Sequence, residues 1–398
     1  MADAGGDALA AWRELGSPAC APLLDALRGI DAAPAPAVIE RLRREHGAGK
    51  VTAAIELSIA RTRAAAKFGA AATALWADRR GVEMASAPRV AAWKAERFAR
   101  EGGNAVDLCC GIGGDLAELA RRVPATGVDL DPLRAWMAAQ NAGVPTECAD
   151  ATARVRDEDL AHADPARRDG GDRRIVRSVD LLPPLAEIRR VTARCRGTAV
   201  KLGPGMDLDA AEVRGDGEVE FISDGGQLVQ QVLWTGTLAS HAGQRTATRL
   251  GADGACTVSG LPQPAPPTDL PGAFGDAILV PDPALERARL LGMLAAAHAL
   301  AEPAPGLGVL TASGVPAHAD VAAWFERFTI IEELPAREPT VAAWLAARGA
   351  GIVTVRTRGG ACDPDAWQRA LRGPGDEPWT VFVLRLGEAR RAFAVRRA

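Results

Sequence analysis

The stretch Val106-Asp-Leu-Cys-Cys-Gly-Ile-Gly-Gly-Asp115 decides the fold, read with the amphipathic run behind it and with Gly127-Val-Asp-Leu-Asp131. Apolar residues ending in a carboxylate, a glycine-dense turn, a helical period and a second apolar run spell strand, turn, helix, strand. Gly111, Gly113 and Gly114 let the backbone turn tightly and approach a ligand that a Cβ would exclude. A dinucleotide-binding turn asks for the spacing Gly-x-Gly-x-x-Gly, its third glycine closing the helix onto the sheet beside a pyrophosphate. Here Leu116 fills that third position, and Asp115 stands on the would-be phosphate side. A carboxylate there repels a pyrophosphate.

Moving outward, carboxylates recur at the predicted strand ends. Asp107 on the first strand and Asp115 after the turn can face a cation, such as the ammonium and sulfonium of S-adenosylmethionine. Asp129 ends the second strand, where an acidic side chain can accept from both ribose hydroxyls. Asp131, followed by Pro132, reads as the cap of the next helix. Asp150, at the end of the third strand, is a candidate acceptor for an adenine amino group, the alternative being a solvated loop carboxylate.

The next strand ends in Asp164-Pro-Ala-Arg-Arg-Asp169. In open parallel sheets ligands bind beyond the carboxyl ends of the strands, so Asp164, Pro165 and Arg167 are the candidate catalytic residues. Pro165 fixes φ and lacks an N–H, leaving the Asp164 carbonyl and carboxylate as acceptors that can orient an attacking amine. Lys201 can approach the same place or lie at the surface, and His162 reads first as a hydrogen-bonded core histidine. Trp93, Lys94 and Arg97 can touch cofactor or substrate, and the sequence does not choose between them. Cys109 and Cys110 have no base or metal partner in sight and read as small buried hydrophobes.

The flanks extend this pattern. From Ala8 to Ala99 apolar residues recur at helical spacing, as in Leu9, Trp12, Leu15 and Leu23, Leu24, Leu27. From Asn104 to Gly236 candidate strands alternate with helices, implying a parallel sheet with right-handed crossovers. Ser223-Asp-Gly-Gly226 signals a terminal hairpin and an antiparallel edge. After the proline-rich connector from Leu261, the reading gives one helix over Pro283–Leu300 and a small α/β tail.

The chain has 398 residues, 24% of them charged, with a net charge of −3. That is ordinary globular composition, and any nucleic-acid contact must come from a local basic surface. Only Lys50, Lys67, Lys94 and Lys201 among 47 basic residues are lysines; the other 43 are arginines, so single arginines carry little functional weight. Seven scattered cysteines without a Cys-x-x-Cys pair read as reduced thiols, with no metal site, and no apolar run approaches membrane-spanning length. The opening residues lack the basic and apolar regions of a signal peptide, so a cytoplasmic protein is expected. Oligomeric state is not legible.

Taken jointly, several motifs resemble a bacterial family of class I S-adenosylmethionine-dependent methyltransferases with a C-terminal THUMP-like domain, distantly similar to trimethylguanosine synthase. They are Gly81-Val-Glu-Met-Ala-Ser86, Asp107 to Asp115, Gly127 to Pro132, Asp164-Pro-Ala-Arg-Arg168, Lys201-Leu-Gly-Pro-Gly205, Ser223 to Gly226 and Pro281-Asp-Pro-Ala284. The resemblance implies a Rossmann-like α/β fold, a doubly wound sheet with an N-terminal helical region and a small α/β THUMP-like tail. The expected division is 1–103 helical, 104–250 methyltransferase, 251–307 linker and connecting helix, and 308–398 THUMP-like. It also implies methyl transfer from S-adenosylmethionine to a nucleobase nitrogen in RNA, with cofactor residues Asp107, Gly111, Gly113, Asp115, Asp129 and Asp150. Candidate RNA contacts are Arg167, Arg168, Arg173, Arg174, Arg356 and Arg358. One departure stands out: amino-group methyltransferases of this kind end the Asp-Pro motif in an aromatic, where this chain has Ala166 and Arg167. A non-catalytic RNA-binding protein with the same fold is the alternative, and an NAD(P)-dependent oxidoreductase is disfavoured by Asp115 and Leu116.

Overall fold

Alanine-rich sequence punctuated by proline and glycine folds as a series of helices before the first strand: α1 (Asp3–Glu14), α2 (Ala21–Ala26), α3 (Pro36–His46), α4 (Ala48–Phe68), α5 (Arg79–Met84) and α6 (Pro88–Glu101). A computed structural model describes residues 3–167, 178–208, 213, 215–270 and 272–398. The chain forms two compact units, Met1–Val219 with Gln230–Gly243, and Glu220–Val229 with Gln244–Ala398.

In the first unit Trp12, Leu15, Leu23, Leu27, Leu42, Val51 and Leu57 share one apolar core with Ile112 of the glycine turn and Met137. The helical region therefore packs against the turn itself. Polar stitching reinforces this: Asn141 Nδ2 donates to the carbonyls of Trp76 and Ile112, both at 2.8 Å, while Trp76 N donates to Asn141 Oδ1 at 2.9 Å.

The strands of this unit are β1 (Ala105–Leu108), β2 (Ala125–Asp129), β3 (Thr146–Cys148), β4 (Leu160–Ala163), the two-residue pair β5 (Ala166–Arg167) and β6 (Leu181–Leu182), β7 (Gly197–Leu202) and, from Gln230 onward, β9 (Gln227–Gly236), while β8 (Glu218–Asp224) falls mostly in the second unit. The order β9-β7-β4-β1-β2-β3 is parallel except for β9, which runs antiparallel to β7. Helices α7 (Gly114–Ala120), α8 (Pro132–Ala142) and α9 (Leu185–Val191) lie in the connections. From β1 the chain builds outward to β2 and β3 on one side, then to β4 and β7 on the other. That reversal makes the β1/β4 boundary the switch point, beyond whose carboxyl end a ligand finds a crevice.

The second unit contains β10 (Arg245–Gly251) and β11 (Gly254–Gly260), paired antiparallel, and the strands β12 (Ala277–Pro281), β13 (Leu310–Ala312), β14 (Phe325–Pro335), β15 (Ala350–Arg358), β16 (Glu377–Leu386) and β17 (Ala389–Arg397). The latter six form a sheet of order β13-β12-β14-β17-β16-β15. Alternation along β16 sends Val381 and Val383 into a core with Val341, Leu345 and Leu371, and Phe382 and Leu384 into another with Ile278, Phe328 and Phe393.

Two sequence readings change here. The helix expected over Pro283–Leu300 is two, Pro283–Ala288 and Leu291–Ala297, because Arg289 turns to φ 59° and ends the first. Gln263 takes the freed backbone groups: its N–H donates to the Arg289 carbonyl at 2.9 Å, and its carbonyl accepts from Gly292 N at 3.0 Å. Residues 251–307, read as linker and connecting helix, also hold β11 and β12, and β12 pairs with β13 and β14. No helix among the described residues is long and apolar enough to cross a membrane.

Candidate active site

The β1/β4 register places Asp107 directly beside His162. At the carboxyl ends of these strands opens a cleft lined among others by Gly81, Ser86, Asp107, Gly111, Asp115 and Asp164. Gly111 and Gly113 take φ 57° and 83°, the left-handed region that glycine enters without strain. A Cβ on Gly113 would lie 2.9 Å from Ala138 Cα of α8, whereas a Cβ on Gly111 would meet nothing within 4 Å. Gly113 is thus required by packing, and Gly111 keeps the approach open.

Behind the cleft lies a chain of buried polar groups. Gln230 Nε2 donates to Ser86 Oγ at 2.8 Å, and Ser86 Oγ donates to Asp115 Oδ2 at 2.7 Å. Lys94 Nζ stands 2.6 Å from Asp115 Oδ1 as an ion pair and donates to Ser86 Oγ and His162 Nε2, each at 3.3 Å. Burial lowers the Lys94 pKa against the pull of Asp115; as the ammonium of that 2.6 Å ion pair Lys94 only donates, so His162 Nε2 carries a lone pair and the ring proton sits on Nδ1. That Nδ1 donates to Asp107 Oδ1 at 2.6 Å. Asp107 Oδ2 is buried without a hydrogen-bond partner among the described residues. Burial works to raise the pKa of Asp115, but the ammonium of Lys94, with Lys201 nearby, holds it well below the ordinary carboxylate range. Burial pushes Asp107 up despite His162.

On the far wall Lys201 Nζ donates to Asp164 Oδ2 at 2.7 Å and to the Met84 carbonyl at 2.8 Å. Burial would lower the Lys201 pKa, but Asp164 and Asp115 outweigh it and raise it, so the pair is ionic. Lys67 of α4 donates to the carbonyls of Val82, Glu83 and Ala85 at 2.7, 3.1 and 3.0 Å. Two lysines therefore hold four successive carbonyls of the Gly81–Ser86 segment that lines the cleft. Asp78 caps α5 through Gly81 N at 2.6 Å, and a Cβ on Gly81 would fall 2.4 Å from Ile112 Cγ2.

The structure brings Asp107, Gly111, Asp115 and Asp164 to one cleft. Asp115 Oδ2 accepts from Ser86, and Oδ1, which has no hydrogen bond of good geometry, is neutralised by Lys94 at 2.6 Å, so of the two residues Asp107 offers the oxygen with neither a hydrogen bond nor an ion pair among the described residues. Asp129 accepts from Gly111 N at 2.8 Å and Asp131 N at 3.0 Å, and each carboxylate oxygen retains a second lone pair. Burial raises its pKa. Asp131 caps α8 through Leu133 N at 2.8 Å. Asp150 is exposed and accepts from Thr152 N and Oγ1, both at 2.8 Å. Pro165 is buried, and β5 pairs Ala166 with Leu182. The Arg167 side chain and residues Arg168, Arg173 and Arg174 lie outside the described set. In the tail, Arg356 pairs with Glu326 and Arg358 reaches Glu286 at 3.4 Å. Arg97 is turned away to Glu218, 2.7 Å, over the Trp234 ring. Sequence reading did not place Lys67 at the site at all. The available signal was the rarity of lysine in an arginine-rich chain.

Residues 325–397 match the family described as THUMP domain-like, and residues 7–64 match a domain of unknown function. An uncharacterized S-adenosylmethionine-dependent methyltransferase of Mycobacterium tuberculosis, found in strains CDC 1551 / Oshkosh and ATCC 25618 / H37Rv, is 32% identical over 347 residues, covering 84% of this chain and 92% of the relative. The crystal structure of a protein assigned as a methyltransferase, from Porphyromonas gingivalis W83, superposes with a TM-score of 0.72 at 17% identity, over 91% of this chain and 98% of that one. With the glycine turn, the strand-end carboxylates and that degree of identity over most of its length, the chain belongs to the S-adenosylmethionine-dependent methyltransferases.

Proposed function

We propose that this methyltransferase acts on RNA and places the methyl group on a nucleobase nitrogen. The observation that carries the reading is that Asp107 and Asp164, from neighbouring strand ends, line one cleft. The residues fit the donor, since Asp107 offers a buried, unpartnered oxygen and Gly111 leaves open space. S-adenosylmethionine, when bound, supplies a methyl group already activated on a sulfonium.

In this reading Asp107, Gly111, Gly113, Asp115, Asp129 and Asp150 form the cofactor side, Asp129 toward ribose and Asp150 toward adenine. Asp164 and the carbonyl before Pro165 orient the lone pair of the attacking nitrogen, and Asp164, fixed by Lys201, accepts its hydrogen bond. Arg167 offers a guanidinium plane on which a base can stack, in place of the aromatic other members use. Positioning supplies most of the rate, because the donor needs no further activation. The 104–250 segment carries the transfer, 1–103 braces the turn, and 308–398, reached through 251–307, helps to hold RNA; the tail's likeness to THUMP domains supports that last role.

Mass spectrometry of modified nucleosides from cells with and without the protein tests the substrate. Loss of one methylated base on deletion is expected. Unchanged RNA alongside retained S-adenosylmethionine binding would sink the RNA assignment. Asp129→Ala is expected to lose cofactor binding by calorimetry, whereas Asp164→Ala binds cofactor and transfers no methyl group. Full turnover by the Asp164 variant removes that residue's role.

A further inference from the structure

We propose that Lys94 and His162 are positioning residues for the methyl donor. Through hydrogen bonds in series they hold the Asp107 carboxylate by Oδ1 and leave Oδ2 to the cleft as its cation-binding atom. The inference rests on the reading of the cleft as the S-adenosylmethionine site.

Three observations carry it. The first is direction: with the Lys94 ammonium donating to His162 Nε2, the ring can only present Nδ1–H to Asp107. Were Lys94 absent, the other tautomer would become available and Oδ1 would face a lone pair. The second is charge. Asp107, Asp115 and Asp164 face Lys94 and Lys201, each lysine pairing with one carboxylate at 2.6 and 2.7 Å. Asp107 has no lysine partner, so of these three carboxylates it is the one left to meet a cationic group of a ligand. The third is residue choice. In a chain with 43 arginines, lysine stands at position 94, where a compact ammonium meets three acceptors that a planar guanidinium fork would not fit.

Every side chain in the series is buried: Lys94, Asp107 and His162 are each 1% exposed. Water therefore does not replace a lost donor, and outer partners of this kind typically alter affinity by about 10- to 100-fold.

The test is calorimetry of the full chain with S-adenosylmethionine. His162→Leu is expected to weaken binding by about 10- to 100-fold, while His162→Asn, which keeps an N–H where Nδ1 stands, retains near-native affinity. Lys94→Met is expected to behave like His162→Leu. If Asp107→Asn loses binding but His162→Leu binds as the native protein does, the positioning role is overturned and the cleft reading survives. If Asp107→Asn binds normally, the cleft reading itself fails, and the positioning role with it. Nitrogen-15 NMR of the unmutated protein gives a check independent of how the variants fold. A neutral ring protonated on Nδ1 is expected for His162, and an imidazolium or an Nε2–H tautomer overturns the proposal.

Discussion

Three of the chain's four lysines, Lys67, Lys94 and Lys201, reach the wall or the back of one cleft, while the fourth, Lys50, pairs with Glu14 at 3.1 Å on the helical region. Each of the three has several acceptors converging on a single nitrogen, which a tetrahedral ammonium satisfies and a guanidinium does not. Removing one partner of a buried ion pair strands the other, at a cost of about 3–5 kcal/mol. Lys94→Met should therefore lower the urea midpoint by a corresponding amount, and Lys94→Met combined with Asp115→Asn should recover part of the loss. The Asp115 pKa in the folded chain lies below its unfolded value. The stabilisation from that group is accordingly full above the ordinary carboxylate pKa of about 4 and is lost as the pH falls toward the folded value. Urea midpoints measured between about pH 6 and 3 should fall in the native protein and fall less in Asp115→Asn.

The turn between β1 and α7 is held by two demands that no other residue meets together. Gly113 needs a left-handed backbone and no side chain against α8, so Gly113→Ala is expected to destabilise by at least about 1–2 kcal/mol. Thermal unfolding measures this. Asp131 and Asp129 look alike in sequence but do different work: one caps α8, the other accepts from the turn. Asp131→Ala should cost about 1 kcal/mol and leave S-adenosylmethionine affinity unchanged; a large loss of affinity would assign it a ligand role. Elements with a clean period were legible. Strands β1, β2, β4, β7 and the β8–β9 hairpin appear within a few residues of where apolar runs and Ser223-Asp-Gly-Gly226 placed them. The β10–β11 pair was not, although Asp253-Gly254 marks its turn, because arginine and threonine on a half-buried pair mute the apolar alternation. The helix over Pro283–Leu300 was overread for a different reason. Its propensity is uniformly high, and only the backbone of Gln263 explains the break at Arg289.

For the chain as a whole, the THUMP-like match begins at Phe325, but the sheet it belongs to does not. Strand β12 lies beside β14, and Ile278, Leu307 and Val309 fill the same core as Phe328, Phe382 and Phe393. A fragment of residues 244–398 is expected to unfold cooperatively by circular dichroism, whereas 325–398, stripped of that half of the core, is not. In the first unit the strand order decides where chemistry can occur. Short-range pattern alone determined the strand–turn–helix unit, the strand-end carboxylates and the helix cap at Asp131, because each depends on spacing within a few residues. Tertiary structure decided which carboxylate remains open. Asp107 and Asp115 are equivalent as acidic residues flanking a turn, but Lys94 from α6 and Ser86 from the segment before it, itself held by Gln230 from β9, gather around Asp115, while among the described residues Asp107 receives His162 alone. Those partners come from positions as many as 144 residues apart along the chain. Burial makes each pairing strong enough to fix the charge of the site, and neither distance nor burial is written in local sequence.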